Sequence, residues 1–124
     1  MHEMGIALRI LDIVGESMPP EPPLRVRAVR LRIGKLSAVV PASLRWCFAS
    51  ASAGGACAAA ELVIHEVAVR LGCERCELVT ELSAPPFVCD RCGSGEVSLL
   101  SGRELEVEAI EVEEAPREPA LPEE

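Results

Sequence analysis

The residues with the clearest chemistry are four cysteines in two pairs, Cys73-Glu74-Arg75-Cys76 and Cys89-Asp90-Arg91-Cys92. Two thiolates three positions apart can chelate one ion from a tight turn, and a second such turn completes a tetrahedral shell of four sulfurs. Gly93 follows the second pair, where a residue without Cβ lets the turn relax as its amide approaches a sulfur. Between the turns lie Leu78, Val79, Leu82, Phe87 and Val88, too few to build a core. Metal ligation must then supply the folding free energy, about 10–16 kcal/mol for structural zinc. Structural zinc is the leading expectation. An iron site of rubredoxin type asks for the same geometry, whereas dithiol exchange needs one pair and not two. Four protein thiolates leave no open coordination position, so hydrolysis at this metal is not expected.

The second candidate is the start of the chain, Met1-His2-Glu3. A bulky second residue should leave Met1 and its free amine in place. That amine, the His2 backbone nitrogen and an imidazole nitrogen can close adjacent five- and six-membered chelate rings on one ion. A fourth ligand is at hand in the Glu3 amide or carboxylate. Nitrogen-rich, nearly planar shells suit Ni(II) or Cu(II) and offer zinc no advantage. On chelation alone, an ordinary helix entry competes with this reading. His65 falls on an expected strand and is given no ligand role. Cys47 reads as a small core residue, and Cys57, after a Gly-Gly break, as an exposed one.

The elements that position these groups follow from periodicity. Met4, Ala7, Leu8, Leu11 and Val14 recur at helical steps, and Met18-Pro19-Pro20-Glu21-Pro22-Pro23 must end that helix. Val29, Leu31 and Ile33 alternate with Arg30 and Arg32, a strand with one wet face; Val26 and Ala28 are out of step and imply a bulge or a late start. Pro41 opens a second helix, with Leu44, Cys47, Phe48 and Ala51 inward and Trp46 to one side, closed by Gly54-Gly55. Leu62 to Val69 reads as a second strand. Leu105, Val107 and Ala109 alternate with Glu104, Glu106 and Glu108 as a third, with a slip to Ile110 and Val112. The fold class is therefore α+β: two helices on a small three-stranded sheet, with an inserted zinc-ribbon-like unit. Residues 1–69 and 100–112 form the first domain, 70–99 the four-cysteine subdomain and 113–124 an acidic disordered tail.

Composition narrows the function. The chain has 124 residues, 49% apolar but 2% aromatic, and a net charge of −8. An acidic protein short of stacking rings is poorly matched to nucleic acid. Arg25, Arg27, Arg30 and Arg32 form a local basic strand, read as a solvated face or partner surface. No apolar run approaches the roughly 18–20 residues of a membrane span. Glu3, Arg9 and Asp12 interrupt any signal-peptide core, so a cytoplasmic protein is expected. Neither a Ser/His/Asp order nor a phosphate loop stands out, and no enzyme activity is expected.

The combined features resemble the HypA/HybF family of hydrogenase nickel-maturation proteins. Met1-His2-Glu3-Met4, the stretch from Val29 to Ser37 with Val40, Pro41, Ser43, Leu44 and Arg45, the paired cysteines from Leu71 to Cys92, and Gly93-Ser94-Gly95 followed by Leu100-Ser101-Gly102-Arg103-Glu104-Leu105 carry the likeness. The resemblance implies a metallochaperone that delivers Ni(II) during NiFe-hydrogenase assembly. It makes His2 the principal nickel ligand with Met1 and Glu3 nearby, and Cys73, Cys76, Cys89 and Cys92 zinc ligands. It implies a HypB-type GTPase and the hydrogenase large-subunit precursor as partners, with a weak homodimer also allowed. Gly5 departs from the family's usual Ser, the proline-rich connection is unusual, and the tail extends past the usual end. The alternative is a zinc-ribbon adaptor for nucleic acid or protein with no nickel role.

Overall fold

A computed structural model describes residues 3–115. Helix α1 (Glu3–Ser17) leads into strand β1 (Leu24–Gly34), a 3-10 turn at Lys35–Ser37 and helix α2 (Pro41–Ser52). Strands β2 (Glu61–Val67), β3 (Val69–Cys73), β4 (Val79–Leu82), β5 (Val97–Ser101) and β6 (Leu105–Glu114) follow. They make two three-stranded sheets, β2-β1-β6 and β4-β3-β5. The expected α+β class holds, with two helices over the first sheet. The second sheet was not anticipated, and it takes Val69 from the expected second strand and Ser101 from beyond the expected subdomain.

Strand β1 is the centre of the first sheet, parallel to β2 and antiparallel to β6. Its Val26, Val29, Leu31 and Ile33 meet Ile6, Ala7, Ile10 and Val14 of α1, Leu44 and Phe48 of α2, and Leu62 of β2 in one largely aliphatic core. The expected face of α1 needs rotation: Leu8 is exposed, and Ile6 and Ile10 take its place. That helix carries more apolar residues than one face can hold, so the stripe is not unique from spacing alone. On α2, Cys47 packs at the edge of the core.

Two bulges reconcile strand patterns with burial. The β1–β6 register slips between Val26 and Ala28, and again between Arg30 and Leu31, where Ala109 and Val107 are the partners. The second slip leaves Glu108 as an extra residue, so Val107 and Ile110 face the core while Ala109 is exposed. Simple alternation had placed Ala109 inward. Strand β6 also runs through Glu113 and Glu114, two residues into the segment expected to be tail. Glu113 pairs with Arg25 and Arg27, which neutralises the charge that argued against a strand there. Residues 116–124, the rest of that expected tail, lie outside the described residues.

The wet face of β1 is a ladder of ion pairs, Arg30 with Glu111 at 3.5 Å and Arg32 with Glu106 at 3.3 Å, beside the Glu113 cluster. Exposed pairs of this sort add little stability. They do cancel the basic strand that would have met a phosphate backbone.

The chain passes between the sheets twice, at Ala68 and at Gly102–Glu104, and both crossings are tied. Gly34 donates to the Glu104 carbonyl at 2.7 Å, and Leu36 to the Gly102 carbonyl at 2.8 Å. The Glu104 carboxylate accepts from the Gly102 amide at 2.7 Å, and Ser101 Oγ donates to the Ala68 carbonyl at 2.8 Å. Backbone amides, its own first and then that of Gly102, hold the Glu104 carboxyl below its usual range. A Cβ on Gly34 would overlap the Gly102 carbonyl and the Arg103 nitrogen. Gly34→Ala is therefore expected to cost about 2–3 kcal/mol, measured as a lower urea midpoint.

Candidate metal centre

The two Cys-x-x-Cys segments fold into matching turns. In the first, the Glu77 amide donates to the Cys73 carbonyl at 3.0 Å and the Cys73 amide to the Leu78 carbonyl at 2.9 Å. In the second, Gly93 donates to Cys89 at 2.9 Å and Cys89 to Ser94 at 2.9 Å. The residue after each pair is left-handed, Glu77 at φ 63 and Gly93 at φ 72. Gly93 was legible as a turn residue. Glu77 was not, because a glutamate in that conformation carries a steric cost that composition does not advertise.

These turns bring all four sulfurs within 4.8 Å of one another. Cys73 Sγ lies 3.7 Å from Cys92 Sγ, and Cys76 Sγ 3.4 Å from Cys89 Sγ. Zinc–sulfur bonds of about 2.3 Å in a tetrahedron give sulfur–sulfur edges of about 3.8 Å, so the donor set fits zinc. Cys73 and Cys89 are buried and Cys92 is exposed, which places the centre at the surface end of the second sheet.

Thiolate character is unevenly shared before any ion binds. The Cys92 amide, ahead of the Arg91 amide and the neighbouring thiols, draws the Cys89 thiol down to about 6. The Cys76 amide likewise lowers Cys73. At Cys76 the Leu78 amide pulls downward, but Cys89, burial and the other sulfurs together push it up to about 11. A sulfur beside a thiolate resists becoming a second one. A divalent cation removes that conflict by stabilising every thiolate at once.

The remaining candidates are placed less symmetrically. Met1 and His2 lie outside the described residues. Glu3 opens α1, and its carboxylate accepts from the Val40 amide at 3.3 Å, at the entry to α2. His65 is exposed on β2, level with Arg32 in the parallel register. Cys57 corrects the sequence expectation: it is buried, and burial pushes its thiol up. The loop after Gly55 folds back through Val26, whose amide donates to Ala56 at 2.9 Å, and this carries Cys57 into the core. A further polar residue, Thr80, is buried on β4 with its hydroxyl facing the second turn. One threonine in a short strand carried no sequence signal.

With the four-sulfur geometry in place, comparison with known proteins is decisive. The family model for hydrogenase/urease nickel incorporation, metallochaperone, hypA matches residues 1–112. The chain belongs to the HypA family. The hydrogenase maturation factor HypA of Desulfosudis oleivorans is 47% identical over 116 residues, covering 92% of this chain and 100% of its own. That of Desulfatibacillum aliphaticivorans is 46% identical over 113 residues, covering 90% and 87%. The solution structure of the Ni metallochaperone HypA from Helicobacter pylori aligns with a TM-score of 0.62 at 25% identity, over 90% of this chain and 97% of that one. HypA membership makes this a nickel metallochaperone of the hydrogenase-maturation machinery, and the geometry of the four-cysteine cluster fits a structural zinc site. Among the described residues no helix is long and apolar enough to cross a membrane.

The matched turns differ in one testable respect. Glu77→Gly relieves a left-handed glutamate and is expected to stabilise the zinc-loaded unit by about 1 kcal/mol, whereas Gly93→Ala should cost about the same or more. Thermal unfolding with zinc in excess reads both.

Proposed function

We propose that the chain carries Ni(II) on its first residues while Cys73, Cys76, Cys89 and Cys92 hold zinc as a fixed scaffold. The family match across residues 1–112 carries this reading, because it includes Met1-His2-Glu3 together with both cysteine pairs. Helix geometry supports it. The first amides of a helix have no acceptor within the helix, so the Glu3 nitrogen at the start of α1 can serve an ion without breaking a helical hydrogen bond. His2 is the principal ligand through its imidazole and backbone nitrogen, and the Met1 amine is a third donor. With its carboxylate on the Val40 amide, Glu3 contributes through its own nitrogen.

Such a site has few donors and exchanges readily, as a delivery site must. Its recipients are a HypB-type GTPase and the NiFe-hydrogenase large-subunit precursor, in the cytoplasm, where a chain whose six cysteines form no disulfide is at home. The role is transfer, with no reaction catalysed. Calorimetric nickel titration and elemental analysis of protein beginning at an untagged Met1 test this. His2→Ala should abolish nickel binding and leave zinc content unchanged. Joint loss of both metals would refute independent sites, and nickel binding that survives the substitution would refute the ligand assignment.

A further inference from the structure

The two cysteine turns match in shape but not in how they are rooted. In each, the amide just after the first cysteine leaves the turn for an acceptor elsewhere. The Glu74 amide donates to the Glu96 backbone carbonyl at 2.9 Å. The Asp90 amide donates to a side chain, Thr80 Oγ1, at 3.3 Å. The first turn has further roots, because Cys73 ends β3 in register with Val97 of β5, and Ser98 Oγ donates to the Glu74 carboxylate at 2.8 Å. The second turn belongs to no strand. Its two internal bonds, Cys89 to Ser94 and Gly93 to Cys89, preserve its shape without fixing its place. Ser94 Oγ accepts from the Glu96 amide at 3.0 Å, a local bond at the turn's exit; among the described residues, Thr80 is the one side chain from outside the turn, the cysteines apart, that hydrogen-bonds it.

We propose that Thr80 is the positioning residue for the second cysteine pair, its buried hydroxyl holding the Asp90 amide so that Cys89 and Cys92 stay on the ion. Thr80 lies opposite Leu71 in the β3–β4 register and is 6% exposed. The hydroxyl is therefore fixed by the sheet, and the turn is fixed by the hydroxyl. The inference rests on the zinc reading of the centre. It also makes the site directional: ligands leave first from the Cys89–Cys92 side, since the opposite pair is anchored by backbone that no single side-chain change removes.

The test uses the full zinc-loaded chain as wild type, Thr80→Val and Thr80→Ser. Zinc transfer to a chromophoric chelator gives the release rate, and mass spectrometry after timed alkylation gives the order in which thiols open. Thr80→Val, which keeps the shape and deletes the hydroxyl, should release zinc roughly tenfold faster, with Cys89 and Cys92 alkylated ahead of Cys73 and Cys76. Thr80→Ser, which keeps the hydroxyl, should release at the wild-type rate. Wild-type release from Thr80→Val, equal acceleration in Thr80→Ser, or alkylation that begins at Cys73 and Cys76 would each overturn the proposal while leaving the zinc centre standing. A wild-type protein that retains no stoichiometric zinc would overturn the zinc reading and the proposal with it.

Discussion

Four sulfurs meeting in one small volume are the constraint on which the second sheet depends. Its strands are short, and few of its side chains are buried: Val69 and Leu71 among the aliphatics, Thr80, and two of the cysteines themselves. So little apolar area falls far short of the ordering cost of the residues from Val69 to Ser101. The sulfurs cannot close the gap alone, because bringing thiols together sets each against the ionisation of the next, as the opposed shifts at Cys89 and Cys76 express. An ion that accepts all four turns this local repulsion into the bond that organises the unit. The first sheet and its two helices have no such need. Their core, drawn from α1, α2, β1 and β2, is continuous and largely aliphatic, so that part of the chain is held together by apolar packing and not by an ion.

The first sheet also shows how an acidic chain handles a strand rich in arginine. Strand β1 contributes Val26, Val29, Leu31 and Ile33 to the core while its outward arginines lie against glutamates of β6. Each strand has one dry and one wet face, and the bulges keep those faces aligned where simple alternation fails. Complementary charge on the wet face also favours this antiparallel pairing over others that would set like charges side by side. The surface left behind carries paired charges of both signs, which is a poor grip for a polyanion.

Much of this was legible beforehand, and the parts that were not have definable causes. The cysteine spacing carried the metal centre because chelation from a turn has strict geometry. The slip to Ile110 pointed to a bulge because a period of two is broken there, whereas the out-of-step Val26 left a bulge and a late strand start open until the register decided for the bulge. Leu8 and Ala109 misled for a shared reason: where apolar residues are plentiful or a bulge falls between them, periodicity identifies an element without fixing its rotation. Cys57 turned inward through a loop whose path is set by the Val26–Ala56 hydrogen bond, a contact between residues far apart in sequence. Glu77 and Thr80 do their work through backbone conformation and one hydrogen bond, neither of which leaves a compositional mark. The second sheet escaped notice because its strands are too short for a period to show.

The tied crossings at Ala68 and Gly102–Glu104 have a consequence for how the two parts share a fate. Val67 and Leu105 flank the end of β1, opposite Gly34 and Ile33 respectively, so the intervening chain leaves and re-enters about two strand spacings apart, roughly 10 Å. A segment whose ends are already held that close behaves as a cassette. Losing its internal order releases a closed loop and leaves the surrounding sheet connected, at an entropic cost that grows only slowly with loop length. The architecture thus confines damage from metal loss to the excursion, and it permits the excursion to vary in size without rewriting the domain that houses it.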